Sequence, residues 1–226
     1  MLITANNITK SFRRKGRAKS SVQILQSTDV SIQSGNVYVI LGRSGSGKST
    51  LINILSGLLL PSGGSVKYND TDIYSLTDGE LSQLRCRRVG YIPQGQSAVA
   101  TLTVRENVLL PSAVIGEGKS FARADELLKQ LGLSELGDAS PTELSGGELR
   151  RLAIARALIN SPEVIFADEP TNDLDEENSR LVFEQLKKAA ESGAAVVIVT
   201  HELFAYEFAD TVYRMQSGSL IREKGQ

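Results

Sequence analysis

Apolar residues change rhythm several times along the chain, and each change predicts an element. In the first 35 residues, β-type runs at Leu2 to Phe12, Val22 to Leu25 and Thr28 to Ile32, broken by polar turns, predict the strands of a small antiparallel β lobe. The run Val37-Tyr38-Val39-Ile40-Leu41 is continuously apolar, as suits a strand buried on both faces. After it the spacing becomes helical, with Leu51, Ile52, Ile54, Leu55 and Leu58 three or four residues apart. The Pro61-Ser62-Gly63-Gly64 turn then leads to a short strand at Ser65 to Tyr68, a helix around Asp78 to Arg88 and a strand at Val89 to Ile92.

From Leu102 to Ser140 the pattern is mainly helical, at Val104 to Val114 and Phe121 to Leu131, and predicts an inserted helical subdomain over residues 97–160. Helix and strand then alternate: Gly147 to Ile159 helical, Val164 to Ala167 a buried strand, Glu176 to Glu191 helical, Ala194 to Thr200 a buried strand, Glu202 to Ala209 helical. Alternation of this kind predicts an α/β fold with a mainly parallel sheet. A hairpin, Thr211 to Met215 and Ser219 to Arg222 around Ser217-Gly218, closes the pattern, and one domain over residues 1–226 is expected.

Composition narrows the class. Charged residues at 23% and apolar residues at 41% describe a soluble globular chain, and 25 basic against 26 acidic residues give no support for a dedicated nucleic-acid binder. The basic stretch from Arg13 to Lys19 reads as a solvated hairpin tip. The lone Cys86 has no partner for an internal disulfide, which favours a cytoplasmic setting. No leader or membrane span is expected, so work at a membrane would go through a partner.

The chemistry starts between the first buried strand and the first helix. Gly42-Arg43-Ser44-Gly45-Ser46-Gly47-Lys48-Ser49-Thr50 places three glycines where backbone N–H groups at a helix start can surround a phosphate. Lys48 adds a point charge at the β and γ phosphates, Ser49 a hydroxyl for Mg²⁺, and Thr50 reaches the α-phosphate region. The strand Val164 to Ala167 ends in Asp168 and Glu169, at the end of a sheet strand where ligands of open α/β sheets bind. Asp168 suits the surroundings of Mg²⁺, and Glu169 suits the water that attacks the γ-phosphate. A second glycine pair, in Leu144-Ser145-Gly146-Gly147-Glu148, opens a helix: either a plain N-cap or a surface that meets nucleotide held by another copy.

Together with Gln94 after Tyr91-Ile92-Pro93, Asn172-Asp173-Leu174-Asp175 and His201, these stretches occur in the order and approximate spacing of an ABC-type ATPase. The chain resembles one complete nucleotide-binding domain of that family over nearly its whole length. The resemblance implies a P-loop ATPase core that binds ATP and Mg²⁺. By the same resemblance Gln94 senses Mg²⁺ and the attacking water and links the site to a transmembrane permease. His201 matches the switch histidine at the γ-phosphate, and Phe12 the aromatic, usually tyrosine, that stacks on adenine. Ser145, Gly146 and Gly147 match the signature that closes on ATP of a second copy, with Glu148 where many members carry glutamine. Asp175 matches the acid of a loop that meets the other subunit.

Within the family, the polar insertion after Phe12 and the Leu102-Thr103-Val104-Arg105-Glu106-Asn107-Val108 stretch resemble the ATPases of macrolide export, lipoprotein release and antimicrobial-peptide resistance. That branch implies a cytoplasmic subunit on the inner face of the cell membrane, paired head to tail around two ATP and driving a separate permease. Two alternatives stay open here: a soluble ABC ATPase acting on ribosomes or nucleic acid, suggested by Pro170-Thr171-Asn172, and a non-transporting regulator of cell division.

Overall fold

The computed structural model describes residues 1–13, 21–116, 120–172 and 174–225; the basic stretch beyond Arg13, and Asp173, lie outside them. Strand β1 (Leu2–Arg13) pairs antiparallel with β2 (Ser21–Gln33) and with β4 (Gly63–Tyr68), and the two-residue β5 (Thr71–Asp72) completes a sheet of order β2-β1-β4-β5. The pattern predicts two strands where the chain makes one. Ile8 pairs with Thr28 and Lys10 with Leu25, so Gln26 and Ser27 together face Thr9 as a β-bulge. The bulge serves a contact, because the Gln26 N–H donates to the Gly218 carbonyl at 2.8 Å.

The second sheet holds β3 (Val37–Leu41), β6 (Val89–Ile92), β7 (Val164–Asp168), β8 (Ala195–Thr200), β9 (Thr211–Gln216) and β10 (Ser219–Lys224). Its order is β10-β9-β3-β8-β7-β6, parallel throughout except for the β9-β10 hairpin. Every residue of β3, β7 and β8 is buried, which accounts for their unbroken apolar runs. Alternate side chains go to opposite faces: Tyr38 and Ile40 join a core with α1 (Lys48–Leu55) and the antiparallel sheet, while Val37, Val39 and Leu41 join a core on the other face.

That second core also takes α3 (Val104–Val114), α4 (Phe121–Gln130), α5 (Gly146–Leu158) and α6 (Glu176–Glu191). The helical stretch therefore shares one apolar cluster with the sheet. Capping boxes start α2 (Asp78–Arg88), α3 and α5, through Thr77 with Glu80, Thr103 with Glu106 and Ser145 with Glu148. The helix expected at Glu202 to Ala209 is instead a 3₁₀ segment, Leu203–Phe208. Phe204 and Phe208 both close on Phe183 of α6, with ring centroids 4.8 and 5.1 Å away, and this packing outweighs the α-helical preference of so short a run.

Candidate functional site

Register assembles the site. Leu41 lies opposite Thr200, and Asp168 opposite Val199, so β3, β8 and β7 end at one edge of the parallel sheet, where the connecting loops form a cleft. The loop leaving β3 turns through Gly45 (φ 76°) and Gly47 (φ 108°), conformations that cost an L-residue its Cβ clearance. A Cβ on Gly42 would lie 2.6 Å from the Met215 carbonyl, so β9 backs the loop directly. Helix α1 begins at Lys48 with Gly47 as N-cap and no side-chain cap, which leaves its first N–H groups directed at the cleft as an anion site. Behind it, the Gly218 N–H donates to the Ser46 carbonyl at 3.1 Å, and the buried Ser46 hydroxyl has no partner among the described residues.

Lys48 is buried, and its Nζ donates to the Gly42 carbonyl at 2.7 Å and lies 3.2 Å from Glu169 Oε1. The other Glu169 oxygen, Oε2, is 3.0 Å from His201 Nδ1 and accepts from the His201 backbone N–H at 3.3 Å. Glu169 thus bridges the lysine of one strand-end loop and the histidine of another. Its backbone is left-handed (φ 48°), a conformation costing about 1–2 kcal/mol for a non-glycine residue, and it is held by its N–H to the Val199 carbonyl at 2.9 Å. One residue earlier, Asp168 Oδ1 accepts from the Ser49 hydroxyl at 3.0 Å. Burial pushes the Asp168 carboxyl above its ordinary range, and neighbouring Glu169 adds to this, while the Ser49 bond, Lys48 and Arg150 pull the other way.

Phe12, Ser44, Gly45, Thr50 and Gln94 line the same cleft as Lys48, Ser49 and Glu169, so residues from four separate stretches of sequence meet. Phe12 is 44% exposed, with Lys10 Nζ 5.1 Å from its ring centroid. Two residues that sequence reasoning missed hold the segment after Gln94. Arg150 of α5, itself buried, donates to the Pro93 and Gly95 carbonyls at 2.9 and 3.4 Å, and Arg156 donates to the Ser97 carbonyl at 2.7 Å. The available signal was two arginines flanking the small and apolar run Leu152-Ala153-Ile154-Ala155. A buried guanidinium must find acceptors.

Ser145, Gly146, Gly147, Glu148 and Asp175 do not line that cleft. They make a second face, where the starts of α5 and α6 meet. A Cβ on Gly147 would lie 3.3 Å from Leu174, Arg151 donates to the Asn178 side chain, and the Asp175 side chain accepts the Asn178 backbone N–H at 2.8 Å. The Ser145 hydroxyl is exposed and bonded to its own Glu148 at 2.7 Å.

A family model described as ABC transporter matches residues 25–172. The macrolide export ATP-binding/permease protein MacB of Neisseria meningitidis is 40% identical over 224 residues, 98% of this chain and 34% of that protein. The chain therefore spans about a third of the length of these relatives. The lipoprotein-releasing system ATP-binding protein LolD of Buchnera aphidicola is 34% identical over 227 residues, 99% of this chain and 98% of that one. Among solved structures, a dimer of the ATP-binding cassette MJ0796 bound to ADP and phosphate superposes with a TM-score of 0.91 at 32% identity, covering 99% of each chain. Sequence and fold agree, and the chain belongs to the ABC transporter family as one of its ATPase cassettes.

Proposed function

We propose that residues 42–50 hold the phosphates of ATP, that Glu169 and His201 manage the attacking water, and that two copies close head to tail to drive a separate membrane permease. The observation that carries the reading is the bridge made by Glu169, with Lys48 on one carboxylate oxygen and His201 on the other, beside the Ser49–Asp168 pair. Phosphate entering the loop competes with Glu169 for Lys48 and frees that carboxylate oxygen for water. Phe12 offers its exposed ring to adenine, and Gln94 reaches the same cleft from a loop held by α5.

Mg²⁺ fits the donors present. Ser49 and Asp168 are oxygen ligands at bonding distance from one another, and among the described residues no three His, Cys, Asp or Glu side chains form a self-sufficient metal site. Ser49, with Asp168 and Gln94 beside it, would hold an ion that arrives with the nucleotide and keeps several waters. Bound there, Mg²⁺ supplies charge neutralisation on the phosphates.

Residues 1–226 are read as one cassette, with residues 97–160 as its helical subdomain. Ser145, Gly146, Gly147 and Glu148, with Asp175 beside them, form the face that meets ATP held by the second copy. No helix among the described residues is long and apolar enough to cross a membrane. The likeness to the LolD ATP-binding protein, 98% of which this chain covers, supports assigning membrane work to a partner and the chain to the inner membrane face. An open groove lined by Leu58, Val114, Pro111 and Arg85 adjoins the segment held by Arg156, and its exposed apolar side chains suit a cytoplasmic segment of that permease. The test is Glu169→Gln. ATP binding measured by calorimetry should persist while phosphate release falls at least about 100-fold; turnover near the wild-type rate would remove Glu169 from its assigned role.

A further inference from the structure

Glu148 closes a lock on Ser145. One carboxylate oxygen, Oε2, accepts from both the Ser145 backbone N–H and the Ser145 hydroxyl, each at 2.7 Å, and the Glu148 N–H returns to the hydroxyl at 3.3 Å. The bonds from the Ser145 hydroxyl and N–H hold the Glu148 carboxyl below its ordinary range, so its charge is present at neutral pH. Capping boxes of the same kind stand at Thr77 with Glu80 and Thr103 with Glu106, where they only satisfy helix-start N–H groups. At α5 the lock falls on a serine that is exposed and that belongs to the face assigned above to the second copy.

A serine hydroxyl has one proton, and an ionised carboxylate only accepts. A γ-phosphate brought by the second copy therefore meets a hydroxyl already committed, next to a fixed negative charge. We propose that Glu148 is a restraint on closure, competing with the incoming phosphate for Ser145 and repelling it, so that this cassette dimerises more weakly around ATP than it would with an amide at the same position. This rests on head-to-tail closure as proposed above. The change Glu148→Gln keeps an acceptor for the Ser145 N–H, so the helix start stays capped, while it removes the charge and adds an N–H donor. Arg151 on the next turn helps hold the Glu148 charge from a distance, but its Nη1 is committed to Asn178.

The experiment compares, by sedimentation equilibrium with Mg-ATP, Glu169→Gln alone with Glu169→Gln carrying Glu148→Gln, Glu148→Ala or Glu80→Gln. Removing one charge about 4 Å from another in water at each of the two ATP sites of the symmetric dimer predicts a dimer dissociation constant lower by about 30-fold for both Glu148 variants, shrinking toward parity near about 0.5 M salt. Glu80→Gln, which opens an equivalent lock at the start of α2 rather than α5, should leave the constant unchanged. Glu148→Ala also loses the cap, so tighter dimers from a less heat-stable chain would separate restraint from folding. An equal or weaker dimer, or a gain indifferent to salt, with Glu169→Gln itself dimerising, overturns the restraint alone. If Glu169→Gln fails to dimerise, the head-to-tail reading falls and takes this inference with it.

Discussion

Glu169 and Lys48 are both buried and hold one another at 3.2 Å, so each neutralises a charge that would otherwise be costly to bury. Lys48→Ala removes the cation proposed to meet the phosphates and should weaken ATP binding by about 2–5 kcal/mol, at least about 30-fold, measured by titration calorimetry. The residues that meet here were legible because motif patterns are local: Gly42 to Thr50 and Asp168-Glu169 stand out within a few positions. The Lys48–Glu169–His201 bridge was not, since it joins residues 121 and 32 positions apart through sheet register. Arg150 escaped notice for a related reason. On a helix a guanidinium reads as solvated until the Pro93 and Gly95 carbonyls are seen beneath it.

Helix α5 connects the two faces, beginning at Ser145 and carrying the arginines that hold the segment after Gln94. Arg150→Met should leave two carbonyls with a lost partner, lowering stability by about 1–3 kcal/mol, and should reduce kcat more than it raises KM; equal kcat would show that the segment needs no such anchor. Helix starts also contribute to stability on the acid side. The Thr77 backbone and hydroxyl bonds hold the Glu80 carboxyl below its ordinary value of 4.5. A depressed folded value contributes stability present above 4.5 and lost as pH falls through the folded value. Glu80→Gln should therefore flatten the acid side of the stability curve measured by urea unfolding. Most elements were legible from periodicity. The single strand β2 and the 3₁₀ segment at Leu203–Phe208 were not, because a distant carbonyl at Gly218 and the Phe183 ring decide them.

The whole molecule places one mainly parallel sheet between two apolar cores, and the carboxyl edge of its parallel strands inherits the rigidity of both. Phe166 is fully buried in the core that also holds α1, two residues before Asp168. Phe166→Ala should cost about 3–5 kcal/mol, read as a lower midpoint in urea, and should weaken the nucleotide site only as far as the sheet edge relaxes. At this scale the cleft and the face at Ser145 share no lining residue, and the proposed closure of a second copy is what would bring them to one nucleotide. Light scattering of Glu169→Gln with and without Mg-ATP tests that arrangement most directly. A mass that doubles on adding Mg-ATP and returns to the monomer value when the nucleotide is removed is the predicted result; a monomer that binds ATP and stays a monomer would contradict it.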